Sequence, residues 1–507
     1  MIETQIIDLF KDGAYFPNKH HIKRIQKYKT NELLFKGKHY DAFEGHNALT
    51  KSQKNLLQVS VNLPSLICKK SADFLFGEQV KVLSGKGDDT LEQKAFDRIV
   101  QNNNLNILTY ESALSNAYYG DAFIKVRFGQ EFGGMLPKDL DAPRIFIENV
   151  NPCMVYPQTF EYDKSKIMAY HIAMPIEVVE DSGDYILNVE SHFPNLILYT
   201  KYKITPAFYD RLGNIERFKI ECEIENERHY VKTGVPMPLV VHIPNTGLVG
   251  EWAGVDDLTE HYAIFDEINN RLAQISDILD KHSDPAMAVP TGILDADEDG
   301  NTHFAVSHNK VFELLGKDDI LPQYITWDGQ LQNAFTELDK LIDLLLTTAE
   351  IPSVALGRDG SGTSGSSGLA IKWRMNTLLS KINRKRQYYD KGLKQVMMLA
   401  QLLETNLGVD AYRVTLPVLQ FQDGLPQDDM ELANMMAVRT GGAKTLSQKS
   451  AIMYLNDYTE EQAEKEIERI KEEEEQQMAQ VDTDYNNIEP AENENISFDA
   501  DNLNEVV

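Results

Sequence analysis

Two long amphipathic helices are the strongest constraint in the sequence, because each needs a partner along its whole apolar face. After Asp257, apolar residues recur at steps of three and four, the period of an α-helix. Asp257 and Glu260 have the spacing of a capping box, and Pro285 lies beyond the last apolar residue. The pattern predicts a helix of roughly 37 Å with the stripe Leu258, Tyr262, Phe265, Ile268, Leu272, Ile275 and Leu279.

A second apolar stripe stops before Pro352 and comprises Leu331, Phe335, Leu338, Leu341, Leu345 and Ala349. Between the two helices lies an insert of about 45 residues in which short segments are typical of strands. We therefore expect two long helices bridged at one end by a small β-containing unit.

A Gly/Ser-rich segment, IPSVALGRDGSGTSGSSG, starts at Ile351 and leads into a third helix. Neither it nor TGGAKT matches Gly-x-x-x-x-Gly-Lys-Ser/Thr, which argues against a phosphate cradle and an NTPase. A linker between domains and a mobile element that contacts another molecule both stay open. The helix after it is predicted to span about forty residues, with Ser366 or Ser367 as N-cap, Gly392 as a kink and Gly408 at its end.

The rest of the chain mixes helices and strands. Residues 1 to about 80 are predicted to be mostly helical, and residues 121 to about 245 contain many runs of β-branched and aromatic residues. Paired helices and one charged helix follow near the C-terminal end. This order predicts an α+β fold. The widely spaced Cys68, Cys153 and Cys222 form no metal-binding pattern and are expected to be free, buried thiols.

The charge is strongly negative and unevenly placed. The formal net charge is −28, and the segment from Asp457 onward holds 18 acidic and 3 basic residues. The rest of the chain therefore carries −13. The acidic tail is predicted to be disordered. A protein that binds nucleic acid tightly by neutralising phosphates usually carries a net positive charge, so a tight DNA binder is not expected.

We find no catalytic constellation, and we expect neither a cofactor nor a metal. The stretch DADEDG from Asp295 imitates the start of an EF-hand, but its twelfth position is Val306 rather than a bidentate Glu. A hairpin turn is the better interpretation. Neither Gly-x-Ser-x-Gly nor His-Glu-x-x-His occurs. No signal-peptide pattern opens the chain and no run of about eighteen apolar residues occurs, so no membrane association is expected.

A basic stripe follows the Gly/Ser-rich segment. Eight Lys or Arg residues stand against a single acid, Asp390, between Lys372 and Lys394. Two uses stay open: a solvated helix face with salt bridges between subunits, or contact with a polyanion. Six of the eight are the candidates for such contacts: Lys372, Arg374, Lys381, Arg384, Lys385 and Arg386.

Several short motifs, in order, resemble those of the portal proteins of tailed phages, of the kind found in siphophages of Gram-positive hosts. NLPSLICKKSADFLFGEQVKV resembles an early family helix that ends in Ala-Asp-x-Leu-Phe-Gly-Glu, and YYGDAFIKV resembles the start of a family strand. The segment from Gly254 to Val289 is similar to the family's first stem helix. Ser367, Gly368, Ala370 and Lys372 match the opening of its long helix. The Gly/Ser-rich loop itself departs from the family pattern.

The resemblance implies an elongated subunit that assembles, in twelve copies, into a ring around a DNA channel at one capsid vertex. It implies no enzymatic activity. Its expected partners are double-stranded DNA, the terminase large subunit, head–tail connector proteins, and the major capsid and scaffold proteins. The implied parts are the wing 1–257, stem helices 258–282 and 331–350, clip 283–330, tunnel loop 351–367, long wing helix and strand 368–424, crown 425–475 and acidic disordered tail 476–507.

The same resemblance implies that the loop lines the DNA channel. Gly and Ser would let it follow a moving helical polyanion, Arg358 would meet phosphate, and Asp359 would limit the grip. The channel residues on this hypothesis are Arg358, Asp359, Ser361, Thr363 and Ser364. A nucleic-acid-processing enzyme with a Gly/Ser hinge and an oligomeric adaptor without a channel are the alternatives.

Overall fold

The structure is a computed structural model of the chain. It describes residues 10–44, 59–86, 89–133, 139–178, 183–209, 213–283, 331–357, 368–408, 412–422, 429–442, 444–456 and 460–486, with shorter pieces at 135–137, 287–288, 295–296, 302–303, 323–324 and 458. Contacts divide the chain into two units, Met1–Leu425 and Pro426–Val507.

Helices and strands are largely segregated along the first unit, where the structure describes nine consecutive strands between residues 121 and 244, in agreement with the predicted α+β class. Within the described ranges, the helices are α1 Lys19–Phe35, α2 His39–Glu44, α3 Leu63–Phe76, α4 Leu91–Asn102, α5 Leu105–Tyr119, α6 Tyr262–Ser283, α7 Leu331–Thr348, α8 Gly368–Arg374, α9 Asn376–Asn406, α10 Asp429–Thr440, α11 Gln448–Asn456 and α12 Glu460–Asn486. The strands are β1 Tyr15–Phe16, β2 Lys81–Leu83, β3 Asp121–Gly129, β4 Arg144–Val150, β5 Val155–Thr159, β6 Ile167–Glu177, β7 Tyr185–Phe193, β8 Leu196–Tyr209, β9 Ile215–Glu223, β10 His229–Lys232, β11 Val240–Pro244, β12 Met287–Ala288, β13 Asp295–Ala296, β14 Thr302–His303, β15 Gln323–Tyr324 and β16 Val418–Gln420.

The larger sheet has seven antiparallel strands in the order β1-β9-β8-β7-β6-β5, and β10 pairs with β8. Strand alternation buries one side chain in two, as with Leu187 and Val189 in β7. These side chains form one core with Phe16 of β1 and Ile25 of α1. All strands of this sheet except β1 lie between residues 121 and about 245, the region whose β-branched and aromatic runs indicated strands.

A second core fills the space between the helices and a three-stranded sheet, β11-β3-β4. Helix α9 lies across this sheet, and Gly392 is its point of closest approach. A Cβ atom at Gly392 would lie 2.5 Å from Cγ1 of Ile243 in β11. The contact gives Gly392 a close-packing role within α9, which is helical from Asn376 to Asn406; the predicted kink at this position stays a prediction.

The two long helices predicted from their apolar stripes are confirmed as α6 and α7. The third is interrupted at Met375, whose buried side chain separates α8 from α9. Gly408 takes a left-handed conformation (φ +70°) at its end, as predicted, whereas Ser366 and Ser367 lie outside the described residues. Strands β13 and β14 pair antiparallel around the DADEDG turn, which confirms the hairpin.

The second unit contains helices α10 to α12. Lys449 of α11 forms ion pairs with Glu460 (2.7 Å) and Glu464 (2.5 Å) of α12. Helix α12 runs to Asn486, so residues 476–486 are helical where a disordered tail was expected. No Gly or Pro interrupts the chain before Pro490, so nothing ends the helix at residue 476.

The cysteines differ in burial: all three are free, but only Cys68 is buried, and Cys222 is exposed. The expectation of free thiols is confirmed; that of burial is wrong for Cys222, which is exposed, and for Cys153, which is only partly buried. Among the described helices, none is long and apolar enough to cross a membrane.

Replacing Gly392 by Ala should lower the free energy of unfolding by about 1–3 kcal/mol, because the added methyl group meets Ile243. Chemical denaturation of the purified chain measures this change. Ser380→Ala, at an exposed site of the same helix, is the matched control and should be neutral or slightly stabilising. Greater stability of Gly392→Ala would contradict the packing role.

Candidate functional site

A buried cluster of one carboxylate and two ammonium groups joins α9 to the segment that opens α6. Asp257 Oδ2 lies 2.5 Å from Nζ of Lys385 and 3.4 Å from Nζ of Lys381. The three side chains are only 8%, 4% and 9% exposed, respectively. Such a pair is strongly coupled, because removing either partner leaves an uncompensated charge in the interior.

Neutral donors complete the shell around Asp257. Ser71 Oγ of α3 donates to Oδ2 at 3.0 Å, and Asn245 Nδ2 donates to Oδ1 at 2.9 Å. Burial alone would raise the pKa of this carboxyl, but the two lysines and these hydrogen bonds outweigh it and hold the pKa well below its ordinary value. Asp257 therefore stays ionised and ties α3, the end of β11 and α9 together.

The neighbouring Asp256, rather than Asp257, binds the backbone at the 3-10 turn Thr259–His261 that leads into α6. Its Oδ1 accepts from the backbone N–H of Leu258 (2.9 Å) and of Thr259 (2.7 Å). Lys27 of α1 lies 3.1 Å from its Oδ2. The predicted capping box on Asp257 is therefore wrong by one residue, and the displaced carboxylate is the one that binds the lysines.

Helix α9 also holds the C-terminal end of α7. Lys381 Nζ donates to the carbonyl oxygen of Ala349 at 3.1 Å, and Arg384 forms an ion pair with Glu350. A cation is favourable there because the last carbonyl groups of a helix carry partial negative charge. One turn of α9 thus contacts both the start of α6 and the end of α7.

Glu350 turns the chain out of α7 in a left-handed conformation, with φ +61°. Its N–H donates to Thr347 O (3.1 Å), and the N–H of the buried Ile351 donates to Leu346 O (2.8 Å). These two bonds form a Schellman motif, in which Gly is the usual residue at the left-handed position. A Glu there is strained, so the direction in which the chain leaves α7 is fixed at an energetic cost.

A second buried carboxylate, Asp121, supports the same region from the other side. Its oxygens accept from the Tyr28 hydroxyl, from the backbone N–H of Gly254 (2.8 Å) and from Nε2 of His242 (2.7 Å). Gly120 precedes it with φ +87°, and a Cβ on Gly120 would lie 2.9 Å from both the backbone nitrogen of Asp256 and the carbonyl oxygen of Gly254. The Gly-Asp pair of the quoted motif is therefore required by close backbone contact.

The six residues of the basic stripe lie in different surroundings. Lys381 and Lys385 are buried in the cluster, and Arg384 pairs with Glu350. Arg386 donates to the Gln422 and Phe74 carbonyl oxygens. Lys372 and Arg374 of α8 are exposed. Buried pairing within the chain was not foreseen; contact of the stripe with DNA or a neighbouring subunit stays a prediction.

The proposed channel residues Arg358, Asp359, Ser361, Thr363 and Ser364 lie outside the described residues. The structure describes the chain on either side of them. Before them, residues 353–356 form a 3-10 turn in which Val354, Ala355 and Leu356 pack on the second core, the one that contains the three-stranded sheet. After them, α8 begins at Gly368. The cluster thus lies at the base of the loop.

The cluster has a structural role. In the described ranges, no group of three or more His, Cys, Asp and Glu side chains is arranged to hold a metal ion. The cluster fixes four elements relative to one another: α3, α6, α7 and α9.

A comparison with protein families matches the chain to the phage portal protein family described as SPP1 Gp6-like, over residues 16–480. A search of curated proteins found no match.

Replacing Asp257 by Asn should lower the free energy of unfolding by about 3–5 kcal/mol, because two lysines lose their buried counter-charge. The folded-state pKa lies below the ordinary 3.8, so the carboxylate's contribution is complete above that value and is lost as the pH falls further. Denaturation between pH 5 and pH 2 should show a flatter acid limb in the variant.

Asp41→Asn removes an exposed carboxylate 4.0 Å from Lys38 and serves as the matched control, with a change below about 0.5 kcal/mol. Equal losses for Asp41→Asn and Asp257→Asn would argue against the cluster.

Glu350→Gly should be more stable than Glu350→Ala by about 1 kcal/mol, because both lose the Arg384 pair but only Gly relieves the left-handed strain. Thermal unfolding of the two variants measures the difference. In a helix interior the Ala variant would be the more stable of the two, so the predicted order of stability is the reverse. A more stable Ala variant would show that Glu350 is not held left-handed.

Proposed function

The chain belongs to the SPP1 Gp6-like family of phage portal proteins, and from this premise we propose that it forms the ring at the unique capsid vertex through which double-stranded DNA is packaged and later ejected. Family membership makes it a structural protein of the virion capsid rather than an enzyme. The subunits of the ring would number twelve, as the sequence resemblance implies.

The observation that carries the proposal is the junction of α6, α7 and α9. In the proposed assembly, α6 and α7 are the stem helices, the residues between them form the clip, and the first unit up to residue 257 forms the wing. Asp257 and Lys381 then join the wing helix α9 to both stem helices at one point. Force on any one of these elements would pass to the others through buried, short contacts.

The Gly/Ser-rich segment is proposed to contact the DNA in the channel. It leaves the junction at Ile351, which is buried, and returns at α8. Arg358 is proposed to meet phosphate, with Asp359, Ser361, Thr363 and Ser364 beside it. The junction would hold both ends of the loop while its middle follows the DNA.

The negative charge of the chain favours DNA that moves through the channel over DNA that binds tightly to it. A net charge of −28 releases few counterions from DNA, so no position along the duplex is strongly favoured. We propose that the basic stripe does not grip DNA through Lys381 and Lys385, which are buried and share Asp257 as their counter-charge. The driving force comes from a separate motor, the terminase, which would dock at the clip.

The remaining partners are also proposals from the family. Head–tail connector proteins would replace the terminase at the clip after packaging, and the major capsid and scaffold proteins would surround the wing. Helices α10 to α12 of the second unit would form the crown inside the head. Assembly would take place in the host cytoplasm.

Deleting residues 361–366 should leave rings intact but abolish DNA packaging, because the loop would no longer reach the DNA. The measurement is the fraction of DNA-filled heads in a packaging reaction, with ring formation checked by electron microscopy. A variant with the same six residues in shuffled order keeps length and composition and should package normally. Normal packaging by the deletion variant would exclude a role for the loop in translocation.

A further inference from the structure

On the outward side of α8 and α9, the twenty residues from Lys372 to Lys391 include no exposed carboxylate. Every exposed residue there is basic, aromatic, hydroxyl-bearing or amide-bearing. The one acid of the segment, Asp390, is half-buried and paired with Lys394 at 2.7 Å. The exposed residues, called here the acid-free face, are Lys372, Trp373, Arg374, Asn376, Thr377, Ser380, Asn383, Arg384, Gln387 and Lys391.

The acid-free face is ordered and continuous. Its central row follows steps of four and three residues, which places the members on one side of a helix. Backbone bonds of 3.0 Å from Met375 N to Ile371 O and from Leu379 N to Met375 O carry the helical path across the break. The opposite side is fixed in the core by Lys381 and Lys385. The central row is Trp373, Thr377, Ser380, Arg384, Gln387 and Lys391.

The number of positive charges on this face is small for a DNA contact and favours a protein partner. From Lys372 to Lys391 the helix spans roughly 29 Å, a length over which duplex DNA presents about 17 phosphate charges. The face offers four cations, and Arg384 is already paired with Glu350. Trp and Arg, both present on this face, are enriched at protein interfaces.

We propose that the acid-free face is the surface on which the next copy of this chain docks, through an acidic surface of that copy. The inference rests on the proposed ring. Copies that each carry −28 repel one another, and the repulsion is smallest where one side of the contact lacks carboxylates. A head-to-tail contact needs two different surfaces, so an acid-free side and an acidic side suit it.

Trp373 is the anchor of the contact. Its side chain is 72% exposed in the single chain, next to Lys372 and Arg374. A large aromatic residue flanked by cations on a fixed helix is the typical composition of an interface hot spot. Burial against an acidic neighbour would cover the indole and place both cations beside carboxylates.

The test uses the full chain and compares Trp373→Ala and Lys372→Glu/Arg374→Glu with the wild type. Native mass spectrometry and sedimentation velocity give the concentration at which rings form. Each variant should raise it at least about tenfold, with unchanged circular dichroism because the side chains are exposed. The matched controls are Tyr162→Ala, where the side chain is 96% exposed, and Lys164→Glu/Lys232→Glu; both should assemble as the wild type does.

The outcomes separate this inference from the proposed function. Rings that form normally in both variants would overturn the docking surface and leave the portal function standing. A wild type that stays monomeric at every concentration would overturn both. Variants that assemble normally but lose binding of short duplex DNA at low salt would replace the inference with a DNA contact.

Discussion

The burial of Asp257 between Lys381 and Lys385 is the interaction on which the rest of the first unit depends. Two ammonium groups and one carboxylate can be taken out of water only if each finds partners, and here the partners belong to different elements. Asp257 brings the start of α6, and Ala349 brings the end of α7. The cluster therefore cannot form unless α6, α7 and α9 meet at one place, and it makes their arrangement specific as well as stable.

This arrangement fixes the chain on both sides of the segment between α7 and α8. The chain leaves the junction through a strained Glu350 and a buried Ile351, so its direction is set before the loop begins. It returns through α8, which Met375 fastens to the core. A segment held in this way at both ends can be displaced in its middle while its base stays in place. In a portal subunit, that combination would allow contact with moving DNA without loosening the ring.

Much of the fold could be predicted from periodicity, because the strands alternate and α6 and α7 each bury part of one stripe, although Leu279 and Phe335 are exposed (49% and 41%). The cluster could not be predicted, since the sequence does not say which of two adjacent acids binds the backbone at the turn before α6; Asp256 does, and Asp257 is free to bind lysine. A signal for the lysines was nevertheless present. Leu378, Ile382, Tyr389, Leu393 and Val396 form the buried stripe of α9, and Lys385 occupies a position within it. A lysine at a core position has to find a carboxylate, whereas a search for basic residues alone treats it as surface.

The central claim is that copies of this chain surround a channel and that the junction at Asp257 holds the loop towards it. A cryo-EM reconstruction of the assembled full-length chain tests both parts at once. The account predicts a closed ring with a central hole, residues 358–367 facing the hole, and Asp257 in contact with Lys381 and Lys385 in every subunit. A small closed oligomer without a channel, or a ring in which the loop faces outward, would contradict it.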